Sequence, residues 1–195
     1  MYTWNACMIE KEVIKAGAIL QGGGIILYPT DTIWGIGCDA SRQDSVRNIY
    51  QIKQRADFKS MLVLVNDISM LERYIERMPQ QALEIIEKAN KPTTIIFPGA
   101  SNLAKNLLAP DKSIGIRITS DPFCRKLIAF TGKPIVSTSA NISGEASPGT
   151  FHQIDSSILE QVDYVVDWRQ DETTPATPSA IVKLEEDGTI TILRP

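Results

Sequence analysis

Ser137-Thr138-Ser139-Ala140-Asn141 follows the apolar run Pro134-Ile135-Val136, so it stands where a buried strand opens into a polar loop. Alternation along a strand sends Ser137, Ser139 and Asn141 to one side, setting two hydroxyls and a carboxamide where a sheet edge can hold a ligand. The bland alternative is a Ser/Thr turn that satisfies its own backbone. Lys53-Gln54-Arg55 falls where a helical pattern gives way, and in an extended or turn conformation residues two apart share a side. A compact ammonium and a planar guanidinium can then grip one polyanion such as a nucleotide phosphate, although cations near a helix C-terminus are also favoured by the helix dipole alone. In Ser113-Ile114-Gly115-Ile116-Arg117-Ile118 the isoleucines occupy one face and leave Ser113, Gly115 and Arg117 on the other. An arginine in so apolar a strand must meet an anion or emerge into a cleft, and a protein carboxylate satisfies it as well as a ligand carboxylate or phosphate does. Tyr28, Thr30 and Thr32 alternate in the same way after an earlier apolar run, with Trp34 close behind, as a polar and aromatic pocket wall would.

Other chemistries find little here. Gly-x-Ser-x-Gly is missing around Ser139, and the lone His152 lies in a polar segment and reads as a surface residue, so a serine-histidine nucleophile is weakly supported. Gly22-Gly23-Gly24 precedes a strand instead of leading from strand to helix, and with neither GxGxxG nor a P-loop pattern present it reads as a helix stop. Cys7, Cys38 and Cys124 are odd in number, far apart and without a CxxC pair, which argues against a disulfide framework or a structural zinc site. A formal charge of −3 removes nonspecific nucleic-acid binding as the leading idea, and RNA contact would need a local basic patch. No apolar run approaches the roughly 20 residues that span a bilayer, and the first ten residues have no signal-peptide pattern, so a soluble, cytoplasmic protein without membrane contact is expected. At 195 residues the length favours one domain, residues 1–195.

The elements that must position these groups follow from periodicity and punctuation. Helix-like spacing covers 9–20, and strands are expected at 25–28, 61–65, 93–97, 114–118, 134–139, 164–166, 180–184 and 189–193. Ser41 with Asp44 resembles a capping box opening a helix that reaches about Lys53, and further helices are expected over 67–77, 79–89 and 150–161. Asp121-Pro122 supplies an N-cap and a first-turn proline to another helix, which Gly132 stops, and Asp187-Gly188 marks a terminal hairpin. Helices interleaved with strands, plus a hairpin, point to helices packed on a mixed rather than purely parallel sheet.

Taken together, residues 28–37 (Tyr-Pro-Thr-Asp-Thr-Ile-Trp-Gly-Ile-Gly), Lys53-Gln54-Arg55, Ile114-Gly115-Ile116-Arg117 and the 137–141 segment resemble the threonylcarbamoyl-AMP synthase (YrdC-like) family in type, order and spacing, from about residue 10 to the end. The resemblance implies an α+β, three-layer fold, a twisted mixed sheet flanked by helices on both faces with a concave, electropositive cleft, and a nucleotidyltransferase reaction. L-Threonine, bicarbonate and ATP would give threonylcarbamoyl-AMP and pyrophosphate for the threonylcarbamoyladenosine modification of tRNA, completed by downstream transfer proteins. It implies that Lys53 and Arg55 supply catalytic positive charge and contact the nucleotide with Ser113, Ser139, Asn141, Ser147 and Arg194. Thr30, Arg117, Ser137 and Ser179 would face threonine, and Mg2+ would accompany the ATP phosphates. The chain departs from the family pattern at three places. Ala56-Asp57-Phe58-Lys59-Ser60-Met61 stands where a proline and then a proline-leucine are usual, Ala89-Asn90-Lys91-Pro92-Thr93-Thr94 replaces Trp-Pro-Gly-Pro-Leu-Thr, and Pro178-Ser179-Ala180 replaces Glu-Ser-Thr. Longer members continue into a second domain, so the short, single-domain form is expected. The rival reading is a noncatalytic RNA-binding or ribosome-maturation protein on the same fold, and a weaker third is a carbamoyl-transfer or sugar-phosphate enzyme.

Overall fold

The computed structural model describes residues 2–54 and 61–195. Helix α1 (Tyr2–Gly22) ends as its glycine run requires: the Gly24 N–H donates to Ile19 O at 2.8 Å and the Gly23 N–H to Leu20 O at 3.0 Å, with Gly23 at φ 87°. That pair of bonds is a Schellman motif, open to glycine because its left-handed residue carries no Cβ. Strands β1 (Ile26–Tyr28) and β2 (Gly35–Gly37) follow, then α2 (Gln43–Ile52), β3 (Leu62–Val65), α3 (Ile68–Leu71), α4 (Gln80–Lys88), β4 (Thr93–Phe97) and β5 (Ile114–Ile118). The chain continues through α5 (Pro122–Thr131), β6 (Ile135–Ser139), α6 (Ser156–Leu159), β7 (Tyr164–Val165), β8 (Ala180–Leu184) and β9 (Ile190–Arg194).

These strands form a mixed sheet in the order β7-β1-β2-β6-β3-β5-β4-β8-β9. Some pairs are parallel (β1 with β7, β3 with β5, β4 with β8) and the others antiparallel, and helices flank both faces. Register decides what each face carries. Val63 pairs with Ile116 and Val136, and Ile116 with Ile95, so one face is continuously aliphatic, and α3 and α4 lay Leu71, Ile85 and Ile86 over its β4–β5 part. Each fully buried isoleucine there contributes about 1.5–3 kcal/mol. The residues between them fall on the opposite face, where Ser137 pairs with Leu62, Leu64 with Arg117 and Ile96 with Gly115.

Several expectations need correction. Strand β2 was not anticipated, because its Gly-Ile-Gly sequence has almost no strand propensity. Its glycines are required by the packing: a Cβ on Gly37 would lie 2.4 Å from Val136 O and 2.7 Å from the Tyr28 ring. The Ser41/Asp44 capping box does not form. Arg42 is the N-cap of α2 without a side-chain bond, the Ser41 hydroxyl donates to Asp39 and Asp44 pairs with Arg47. The 67–77 helix stops at Leu71 and continues only as a 3₁₀ turn over Glu72–Tyr74, since Ile75 turns extended to bridge Ala100. The 150–161 segment likewise splits into a 3₁₀ turn at Phe151–Gln153, closed by a Thr150/Gln153 capping box, and the short α6, restarted by the Asp155 cap. Helix α5 is as expected: Asp121 accepts from Cys124 N at 2.9 Å, Pro122 opens it and Gly132 closes it at φ 65°. Cys38 and Cys124 are buried and Cys7 is exposed, all three as free thiols. Among the described residues no helix is long and apolar enough to cross a membrane.

Candidate active site

The face opposite the isoleucines is hollow because its strands present small residues there. Gly35, Gly115, Ser137, Ser139, Thr94 and Ser179 line a cleft of ≈ 260 Å³, with Arg117 and Arg194 on its wall. A Cβ on Gly115 would stand 3.2 Å from Thr94 Cγ2, so glycine deepens the floor of the cleft. Two larger hollows of ≈ 400 and ≈ 510 Å³ lie beneath α4, walled chiefly by aliphatic side chains such as Ile85. The smaller cleft has the convergent hydroxyls and guanidinium groups that fix a ligand, and it is the candidate site.

Arg117 is 2 % exposed, yet it borders this cleft. Its Nη2 lies 3.0 Å from Asp31 Oδ1 and donates to Thr32 Oγ1 at 3.2 Å, while its buried Nε has no hydrogen-bond partner among the described residues. The protein-carboxylate alternative is met by Asp31, and one donor of the guanidinium is left over among the described residues. The Thr30 hydroxyl donates to Ile33 O at 2.8 Å and accepts from the Thr32 N–H at 3.0 Å. Its hydrogen is thus committed, and the 2.9 Å contact between the two threonine hydroxyls must use the hydrogen of Thr32, which leaves the Thr32 oxygen to receive Arg117. Tyr28 lies beneath this turn and not on the cleft wall. It is fully buried, and its hydroxyl donates to Val136 O at 3.1 Å.

At the far wall Arg194 donates through Nε to Ser179 O at 2.6 Å, and Ser179 Oγ shares a hydrogen with Thr94 Oγ1 at 2.9 Å. Burial first, and then the charge of Arg117, holds the Arg194 guanidinium below its ordinary pKa. Both guanidinium groups thus line one cleft, Arg117 with Asp31 beside it. Trp34 also lines the cleft, packed against Phe151 with ring centroids 4.9 Å apart and planes tilted by 50°.

Of the residues expected to contact ligands, Arg117, Ser137, Ser139, Ser147, Ser179 and Arg194 line the cleft. Lys53 does not. It is 1 % exposed, and its ammonium donates to Ser139 O and, at 2.6 Å, to Asn141 O, while its own carbonyl accepts from the Ser143 N–H at 2.8 Å. Asn141 also turns inward: its amide nitrogen donates to Ile142 O and Glu145 O, leaving Oδ1 buried without a partner among the described residues. The two cationic and hydroxyl signatures are thus clasped together, one holding the loop that the other begins. Ser113 is bonded to Asp111 and Thr30 to its own turn, both outside the cleft lining. Arg55 lies outside the described residues. Sequence reasoning passed over Thr94 and Asp31. The period-2 alternation of β4, which puts Thr94 beside Ile96 on the cleft face, was the available signal for the first. For Asp31, in a loop, there was none.

A model of the Sua5/YciO/YrdC family, described as "Telomere recombination", matches residues 18–195. A putative threonylcarbamoyl-AMP synthase of Methanocaldococcus jannaschii is 37% identical over 185 residues, 94% of this chain and 82% of its own. The threonylcarbamoyl-AMP synthase of Pseudoalteromonas translucida is 32% identical over 161 residues, 81% of this chain and 86% of its own. Among solved structures, P. abyssi Sua5 complexed with L-threonine has a TM-score of 0.83 at 23% identity, covering 96% of this chain and 54% of that one. That is a likeness of fold, and this chain spans about half the length of that protein. Since the matched span runs through every strand that builds the cleft, the chain belongs to the Sua5/YciO/YrdC family.

Proposed function

We propose that this chain is an L-threonylcarbamoyladenylate synthase, joining L-threonine, bicarbonate and ATP into threonylcarbamoyl-AMP with release of pyrophosphate and water. The observation that carries this reading is the pairing of Arg117 and Arg194 across a hydroxyl-lined cleft, in a chain whose relatives at 32% and 37% identity bear that enzyme's name. In the reaction the threonine nitrogen bonds to the bicarbonate carbon as water leaves. A carbamate oxygen then bonds to the α-phosphorus as the bond from that phosphorus to pyrophosphate breaks.

The transition state gathers negative charge, and fixed donors stabilise it without the reorganisation that water would need. Arg117 offers its unpartnered Nε to the threonine carboxylate, with Ser137 at the same wall. Ser139, Ser147 and Arg194 face the nucleotide side. Lys53 and Asn141 act by shaping the loop that presents Ser139, and Arg55 completes the cationic signature. Magnesium would enter with ATP as part of that substrate. The described residues hold no group of three or more His, Cys, Asp or Glu that could bind it alone. The adenylate is a reactive mixed anhydride, so a downstream transfer step must consume it, and tRNA is the proposed final acceptor. The RNA-binding alternative gains nothing from a formal charge of −3.

The test is pyrophosphate release from MgATP with threonine and bicarbonate omitted in turn. Release is expected to require both. Release indifferent to both would remove the synthase reading.

A further inference from the structure

Arg169 lies outside the cleft lining, in the stretch of residues 167–178 that the sequence marks only as a polar surface loop. Its backbone sits at φ 62°, a conformation disfavoured for a side chain larger than glycine, and it is held there on three sides. Nη1 donates to Asp121 Oδ2 at 2.8 Å and to the Thr30 carbonyl at 3.1 Å, and Nε donates to Glu172 at 2.7 Å. Asp121 is the N-cap of α5 and is buried, whereas Thr30 opens the turn that delivers Asp31 and Thr32 to Arg117. The Ser120 N–H also donates to Asp31 Oδ2 at 3.1 Å, so the same turn is tied to the α5 N-terminus both directly and through Arg169.

We propose that Arg169 is a positioning residue for the amino-acid substrate. By clamping the Thr30 carbonyl to the Asp121 carboxylate, it fixes the Thr30-Asp31-Thr32 turn and thereby aims the Arg117 guanidinium at the substrate carboxylate. The inference rests on the synthase reading above and extends it to a residue that touches no substrate. Among the described residues Arg169 makes its hydrogen bonds to Asp121, Thr30 and Glu172 and none to the Arg194 side of the cleft, so the effect is expected on the amino acid.

Steady-state pyrophosphate release on the full chain, with threonine and ATP varied separately, tests it. Arg169→Ala should raise the threonine KM about tenfold and leave the ATP KM within about twofold. Arg169→Lys, which keeps the charge but lacks the planar fork that reaches Asp121, Thr30 and Glu172 together, should recover part of the loss. If Arg169→Ala does not fold, Arg169→Lys carries the same test against wild type. In an Arg169→Ala/Arg117→Lys double variant the two threonine effects should fall well short of multiplying, because one acts through the other. An unchanged threonine KM in a folded variant of an active enzyme, or fully multiplicative effects, would overturn the inference alone. A wild type with no threonine-dependent release would overturn the synthase reading and the inference with it.

Discussion

Arg117 shows how one side chain can serve the fold and the site together. Asp31 stands beside it, so the buried charge is tolerated, while its Nε is left without a partner among the described residues. Lysine would keep the charge and lose the planar fork. Arg117→Lys should weaken threonine binding by about 1–3 kcal/mol and leave ATP affinity nearly intact. Calorimetry decides: unchanged threonine affinity would mean that the guanidinium serves Asp31 alone, and a matching loss for ATP would place it at the phosphates. Lys53 calls for a different expectation, because its ammonium is spent on the Ser139 and Asn141 carbonyls. In Lys53→Met those carbonyls lose a buried donor, and stability should fall by about 1–3 kcal/mol. Turnover should fall at least about tenfold as the loop relaxes, and a folded variant with wild-type turnover would detach Lys53 from the site.

Among the elements, β2 is the one most exposed to substitution. Its glycines let Tyr28 lie over the strand, and in Gly37→Ala the new methyl meets the Val136 carbonyl, which is backbone and cannot swing aside. We expect Gly37→Ala to lose at least about 1–3 kcal/mol in chemical denaturation. A midpoint equal to wild type would show that β1 and β6 can part without cost. The same strand marks the limit of what sequence patterns convey. Strands β4 and β5, the α5 caps and the β8–β9 hairpin announce themselves through runs of Ile, an Asp-Pro start with a Gly stop, and Asp-Gly. Strand β2 announces nothing, since its reason for being a strand lies in Tyr28 and Val136, 108 residues apart. At the site, alternation predicted the cleft face of β5 at Gly115 and Arg117 and the end of β6 at Ser137 and Ser139. It could not predict that Asn141 and Lys53 turn inward, because loop carbonyls, which have no sequence signature, claimed their donors.

Across the molecule, Glu12 joins the first helix to the sheet's β7 edge. It accepts from the Tyr164 hydroxyl at 2.5 Å and the Asp167 N–H at 2.8 Å and pairs with Lys15. Burial raises its pKa, but the bonds from Lys15, Tyr164 and Asp167 together outweigh burial and bring it below its usual 4.5. A depressed carboxylate gives stability that is present above the unfolded-state pKa and is lost as pH falls through the folded one. Glu12→Gln should therefore be less stable than wild type at pH 7, with the gap closing below about pH 4.5. Urea midpoints measured from pH 7 to pH 3 would show it, and a gap independent of pH would assign the loss to packing. The buried cysteines have a further use. Cys38 follows β2 and Cys124 lies in the first turn of α5, and burial chiefly raises both thiols above their ordinary range, so neither meets a reagent in the native state. A maleimide should attach to Cys7 alone, and the delayed labelling of the other two becomes a two-channel clock for opening motions. Because the Cys124 thiol donates to Pro29 O, in the loop between β1 and β2, we expect both hidden thiols to be labelled at rates within about twofold of each other, as one cooperative unit. Widely different rates would divide the sheet into parts that breathe separately.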